Sequence, residues 1–234
     1  MEDWKSMSHA TSVNEIRAVR EPSRVTALST ALEVVLIYAA IIGYIWRGQH
    51  TYPHVWIAIW AAILASHFLR RDTLGGMGLG WAEVEASAWS VLPVTILFCL
   101  LMLIYGFKHH RLQLLRPTWQ SLVPLVGYGG WCVFQQYLTQ SYFHNRLMSI
   151  IPNRPLTSFL IAILFSSTHI PNTILMIATA IAGFIFAEVF SRHRSIWPLA
   201  LAQAVGGLLL AAVAPDALIH HMRVGPGYFF YGIR

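Results

Sequence analysis

Charged side chains are scarce in this sequence. Asp, Glu, Lys and Arg make up 11% of its 234 residues, against about 25% in an ordinary soluble domain. That deficit excludes a soluble globule, because too few solvated side chains remain to cover one. Cysteine is almost missing as well: Cys99 and Cys132 are the only two, and both fall inside apolar runs, where they read as packing residues. They supply no disulfide framework and leave the redox compartment open. The polar stretch Met1–Arg24 has no apolar core of a cleaved signal peptide, so the first apolar helix is expected to stay as an anchor. Internal repeats and low-complexity tracts are absent, which removes the inverted-repeat signature of a small transporter and leaves one domain. The apolar runs are too long for barrel strands and lack their period-2 alternation.

What is abundant is hydrophobic residue, 56% of the chain. Seven apolar segments stand out, approximately Val25–Trp46, Tyr52–Leu69, Ala86–Phe107, Trp119–Tyr142, Leu156–Ile170, Thr173–Phe190 and Ile196–Val213. A membrane span needs about 20 residues, and the first, third and fourth exceed that easily. The expected fold is all-α, a multi-pass transmembrane bundle of about seven helices over residues 25–214, flanked by a polar N-terminal tail at 1–24 and a C-terminal tail at 215–234. The fifth segment is short and abuts Pro171 and Asn172, which predicts a tight hairpin with the sixth or a pair with buried ends. The net charge of +6 comes from Lys and Arg placed between the apolar segments, so the partner it implies is the lipid bilayer rather than nucleic acid. Ten of the sixteen Lys and Arg fall on the N-terminal tail and even-numbered loops, six on the other side. That asymmetry favours a cytoplasmic N-terminus.

The glycine-rich loop Arg70–Gly80 (RRDTLGGMGLG) predicts a turn and a surface segment. A phosphate-binding loop would need a preceding strand and a following lysine, and it has neither. More informative are polar residues where hydrocarbon is expected, since each must find a partner or a hydrated cavity. The fourth segment carries Gln136, Gln140 and His144 at i, i+4 and i+8, one face of a helix, with Gln135 and Thr139 beside it. Either an interhelical hydrogen-bonded staple or the wall of a site accounts for them. The fifth segment ends in Phe165-Ser-Ser-Thr-His169, with Asn172 just beyond. Pro171 predicts a kink there and a free carbonyl near His169. The seventh brings Gln203 with Gly206 and Gly207. Glu33, His67 and Glu188 read as helix-end or interhelical partners.

Taken together, these residues resemble the CPBP (CAAX-protease and bacteriocin-processing, Abi-like) intramembrane metalloproteases. Members of that family have three motifs on separate helices: Glu-Glu-x-x-x-Arg, Phe-x-x-x-His, and His-x-x-x-Asn or Asp. Here the first aligns with Gln135, Gln136 and Gln140, the second is intact as Phe165 and His169, and the third aligns with Gln203 and Gly207. Gly183 and the stretch Arg192–Pro198 are also similar, so the resemblance extends over about residues 117–213. It implies a CPBP-like bundle in a membrane, with the bacterial inner membrane as the expected location. By the same resemblance Gln135, Gln136, Gln140, His169 and Gln203 occupy catalytic positions, and Phe165, His144, Asn172 and Gly207 are expected around the pocket. Both glutamates, the arginine and the second histidine are glutamine here. An amide has no basic site near neutral pH and is a poor transition-metal ligand. The expectation is therefore a protein without peptidase chemistry, a pseudoenzyme with no metal or other cofactor. It would act as a binding protein for a partner helix, lipid or prenoid-like ligand, or as a subunit of a larger membrane complex. The alternative is an active CAAX-type metalloprotease with an atypical glutamine-rich site, and only that alternative calls for zinc.

Overall fold

The seven apolar runs become seven helices in a computed structural model that describes residues 24–112 and 119–230. The polar tail at 1–24 lies outside the described residues up to position 23. Helix α1 is Arg24–Gly43 and runs on through a π-helical stretch, Tyr44–Gly48, into Gln49–Thr51. Helices α2 (Val55–Arg70) and α3 (Val84–Lys108) follow. Helix α4 begins as Trp119–Gln136, widens into a π-helix over Tyr137–His144 and ends as Asn145–Ile150. Then come α5 (Arg154–Ser167), α6 (Thr173–Arg192) and α7 (Trp197–Val213). Among the described residues there is no strand.

Three of these helices are long and apolar enough to cross a membrane, Val25–Thr51, Val84–Lys108 and Thr173–Arg192. Leu32, Val35 and Leu36 on α1, and Leu97, Leu100, Leu101 and Ile104 on α3, are exposed. In water such a surface would be an aggregation liability; in hydrocarbon it is the lipid-facing belt of a bundle.

Helices α5 and α6 make the most extensive contact in the molecule and form the tight hairpin that Pro171 and Asn172 foreshadow. Asn153 caps α5 by accepting from the Leu156 N–H at 3.1 Å, with a proline in its first turn. Asn172 caps α6, accepting from Leu175 N at 3.3 Å. The His169 carbonyl expected to be free is occupied instead, taking the Asn172 N–H at 2.8 Å. The helices approach closely because Gly183 lacks a side chain. A Cβ there would stand 3.2 Å from the Ala162 Cα. Helix α7 packs on both α3 and α4. It thereby faces Gln203 toward the polar stretch of α4.

A buried ionic network ties α1 and α2 to the end of α4. Glu33 accepts from Arg70 Nη2 at 2.5 Å and Tyr142 OH at 2.9 Å, and also from Ser66. Arg146, 3% exposed, lies 3.4 Å from Glu33 and donates to Asp72 at 2.6 Å. His67 Nδ1 reaches the same Asp72 oxygen at 2.7 Å. Burial alone would raise the Asp72 carboxyl, but the bonds from Arg146 and His67 hold it below its ordinary value. Glu33 and His67 are thus interhelical partners. Glu188 is one as well, accepting from Ser158 at 2.8 Å and pairing with Arg154 and Arg192.

Two segments depart from a simple reading as surface or tail. The loop after α2 is tucked inward, with Met77 and Gly78 buried. The Met77 carbonyl accepts from Ser141 Oγ at 2.5 Å, and the Gly78 carbonyl from Ile196 N at 3.0 Å. Gly78 has φ +73 and packs on the Phe190 ring, so only glycine fits. The C-terminal stretch is folded as far as residue 230, with short helices α8 (Asp216–Ile219) and α9 (Pro226–Phe229) joined by a 3-10 turn, His220–Met222. It straps the end of α6: the Asn172 amide donates to Ile219 O at 2.7 Å and Arg223 O at 3.1 Å.

Candidate ligand pocket

Four glutamines on two helices form one chain of hydrogen bonds. Gln140 Nε2 donates to Gln136 Oε1 at 3.4 Å, Gln136 Nε2 to Gln203 Oε1 at 2.6 Å, and Gln203 Nε2 to Gln135 Oε1 at 2.5 Å. Each amide gives its N–H to the next one's oxygen, a head-to-tail order in which the bonds polarise one another. Gln136 and Gln140 are 0% and 1% exposed, so the chain runs from dry core outward. Gln135 and Gln203 at its outer end line a cavity of about 860 Å³. Gln140 Oε1, at the inner end, is buried without a partner among the described residues.

The cavity lies between all seven helices, α1 to α7, and the walls are mostly aliphatic and aromatic, among them Trp56, Trp60, Phe98, Tyr128, Trp131 and Phe134. Polar groups are few. Thr139 and Thr179 spend their hydroxyls on carbonyls one turn back, at 2.8 and 2.6 Å. Thr168 does the same with Phe165 O at 2.7 Å. His169 also lines this cavity. Its Nδ1 stands 2.9 Å from the Phe165 carbonyl, which fixes the tautomer: Nδ1 carries the hydrogen and Nε2 the lone pair. Nε2 has no hydrogen-bond partner among the described residues, which leaves it an uncommitted acceptor in the site.

The structure therefore brings Gln135, Gln136, Gln140 and Gln203 together and puts His169, Phe165 and Gly207 on the same cavity. His144 and Asn172 do not line it. His144 Nε2 bonds Ser191 at 2.9 Å and its ring stands edge-on to Phe190. The cause is the π-helix between Gln136 and His144: each wider turn takes up an extra residue, so the i, i+4, i+8 face of an α-helix is not kept. Asn172 is used up as the cap of α6 and the anchor of the C-terminal strap.

Tyr128 went unnoticed in the sequence. Its hydroxyl occupies the space beside Gly207 where a Cβ would stand, in direct clash range. An aromatic one helix away from a glycine has no signature in a single sequence, since their meeting depends on how α4 packs on α7. The position that aligns with the family's third-motif Asn or Asp is thus filled by a phenol from another helix.

Residues 132–209 match a family model, the Rce1-like one, described as type II CAAX prenyl endopeptidase Rce1-like. Over that stretch, a third of its length, the chain is similar to CAAX-protease-like membrane proteins. The match begins within α4 and ends within α7, so it contains every glutamine of the chain described above as well as His169. Helices α1 to α3, the loop after α2 and the C-terminal strap lie outside it. No curated protein and no solved structure matches this chain.

Proposed function

We propose that this protein is a CAAX-protease-like membrane protein without peptidase chemistry, which binds a lipophilic ligand, a prenoid-like or lipid chain carrying a hydrogen-bonding head. The observation that carries this reading is the glutamine chain. A hydrolase of this kind needs a group that takes a proton from water, and such catalysis contributes about 10²–10⁴-fold. Amides that donate and accept among themselves carry no basic site that could take a proton from water near neutral pH. The donor set does not suit zinc either. A catalytic zinc site uses three imidazole, thiolate or carboxylate ligands, whereas here one imidazole stands among neutral amides, so no step is routed through a metal.

What the cavity offers is volume and shape. Its capacity suits a flexible apolar chain, and its aromatic walls supply dispersion contacts. His169 Nε2 is placed to accept one hydrogen bond from a hydroxyl or amide on the ligand's head. Binding specificity then rests on a small number of polar contacts, the His169 imidazole acceptor among them.

A photoreactive farnesyl probe, added to the purified protein in phosphatidylcholine nanodiscs, tests this. Saturable labelling within α4, α6 or α7 is expected, together with loss of labelling in Ala182→Phe, which places a ring in the cavity. His169→Ala is expected to weaken labelling while leaving the melting temperature close to that of the wild type. Cleavage of a membrane-bound peptide by the wild type, abolished in His169→Ala and accompanied by about one bound zinc per chain, would overturn the reading in favour of the metalloprotease alternative.

A further inference from the structure

At the opposite end of the bundle a second cavity, of about 670 Å³, is lined by Arg70, Arg71, Arg146 and Arg194 together with Asp72 and Asn145. Four guanidinium groups face one space. Two carboxylates are available to balance them, Asp72 in the wall and Glu33 behind it, and these are spent on Arg70 and Arg146. The remainder, four positive charges less two negative, is +2. No carboxylate among the described residues pairs with Arg71 or Arg194.

Arg194 is held in place. Its Nη2 donates to the Gly76 carbonyl at 2.8 Å and to Asn145 Oδ1 at 2.7 Å, and its guanidinium lies over the Phe190 ring at 4.7 Å. Neutral acceptors orient this cation without cancelling its charge, and burial pushes it below its ordinary value. Arg71 is unusual in its backbone. It ends α2 with φ 55 and ψ 40, the left-handed conformation that helix C-termini ordinarily give to glycine. It is exposed, lines the cavity and has no carboxylate partner among the described residues.

We propose that these arginines form a phosphate site at the membrane surface, occupied by the headgroup of an anionic phospholipid. Guanidinium forks match phosphate oxygens in geometry. The site lies at the end of the bundle where the basic residues are in excess, which is where anionic headgroups are found. It is built from α2, α4 and the α6–α7 loop, so a bound headgroup would clamp three elements at once.

Soluble dihexanoyl phosphatidylglycerol, dihexanoyl phosphatidylcholine and inorganic phosphate, each titrated into the purified full-length protein in neutral detergent, separate the possibilities by thermal melting. A saturable rise in Tm with phosphatidylglycerol is expected. Phosphatidylcholine and millimolar phosphate are each expected to leave Tm unchanged. Arg71→Gln and Arg194→Gln should each weaken the apparent affinity by about tenfold, and Lys108→Gln, at the other end of α3, should not change it. Arg194→Gln removes structural bonds and so tests folding as well; Arg71→Gln is exposed and isolates the charge. Equal responses to inorganic phosphate and phosphatidylglycerol would assign the site to free phosphate and overturn the lipid assignment. Unchanged affinity in Arg71→Gln, or no saturable response to any phosphate compound, would overturn the site itself.

Discussion

Gln203 has the most to lose of any side chain in the amide chain. It is the bridge between helices, accepting from Gln136 and donating to Gln135. Replacement by leucine keeps the volume but leaves the Gln136 N–H in a dry site and the Gln135 oxygen without its donor. An unsatisfied buried polar group costs about 1–3 kcal/mol, less where hydrocarbon-exposed partners can be found in the unfolded state. We expect Gln203→Leu to lower stability by about 1–3 kcal/mol. Reversible unfolding in mixed micelles measures this. The quadruple change of Gln135, Gln136, Gln140 and Gln203 to leucine removes donors and acceptors together. It should cost less per site, and a cost per site as large as that of the single variant would show that the bonds are not the source.

At the scale of elements, the apolar runs were readable and their interruptions were not. Hydropathy located the helices to within about five residues, because lipid demands a continuous apolar stretch whatever packs against it; the exception is α4, whose polar end runs past Tyr142 to Ile150. The π-helix in α4 leaves no such trace. It arises where polar side chains seek partners on two neighbouring helices, and it decides that Gln140 stays beside Gln136 while His144 turns to Ser191. The clustering of Arg70, Arg71, Arg146 and Arg194 was equally hidden, since these residues come from three separate places in the chain. Asp72 gives this end of the bundle a measurable pH dependence. Its carboxyl is held below the ordinary value of 3.8, so its contribution to stability is complete above that value and is lost as pH falls through the lower, folded-state value. Asp72→Asn removes that contribution at any pH, about 2 kcal/mol for a charge-assisted bond to a buried arginine. The gap in melting temperature between wild type and Asp72→Asn should stay constant from neutral pH down to the ordinary carboxyl range and close below it. A gap that widens on acidification would contradict the role given to Asp72.

For the whole molecule, the two cavities fix a direction across the membrane. The arginine end holds the start of α1 and the loops after α2, α4 and α6, whereas the ligand pocket reaches the ends of α1, α5 and α7 and the C-terminal strap. Seven of the eleven Lys and Arg among the described residues belong to the arginine end, and translocation disfavours short loops rich in such residues. Four of the seven line one cavity, and two of these, Arg70 and Arg146, are tied to Glu33 on α1. The arginine end is therefore expected to face the cytoplasm. Single cysteines at Thr73 and at His109, in a background with Cys99 and Cys132 replaced by alanine, report this through a membrane-impermeant maleimide applied to cells. His109→Cys should react in intact cells. Thr73→Cys should react only after the membrane is permeabilised. The reverse pattern would place the arginine cavity outside, away from the anionic cytoplasmic leaflet, and with it the headgroup assigned to that cavity would have to change.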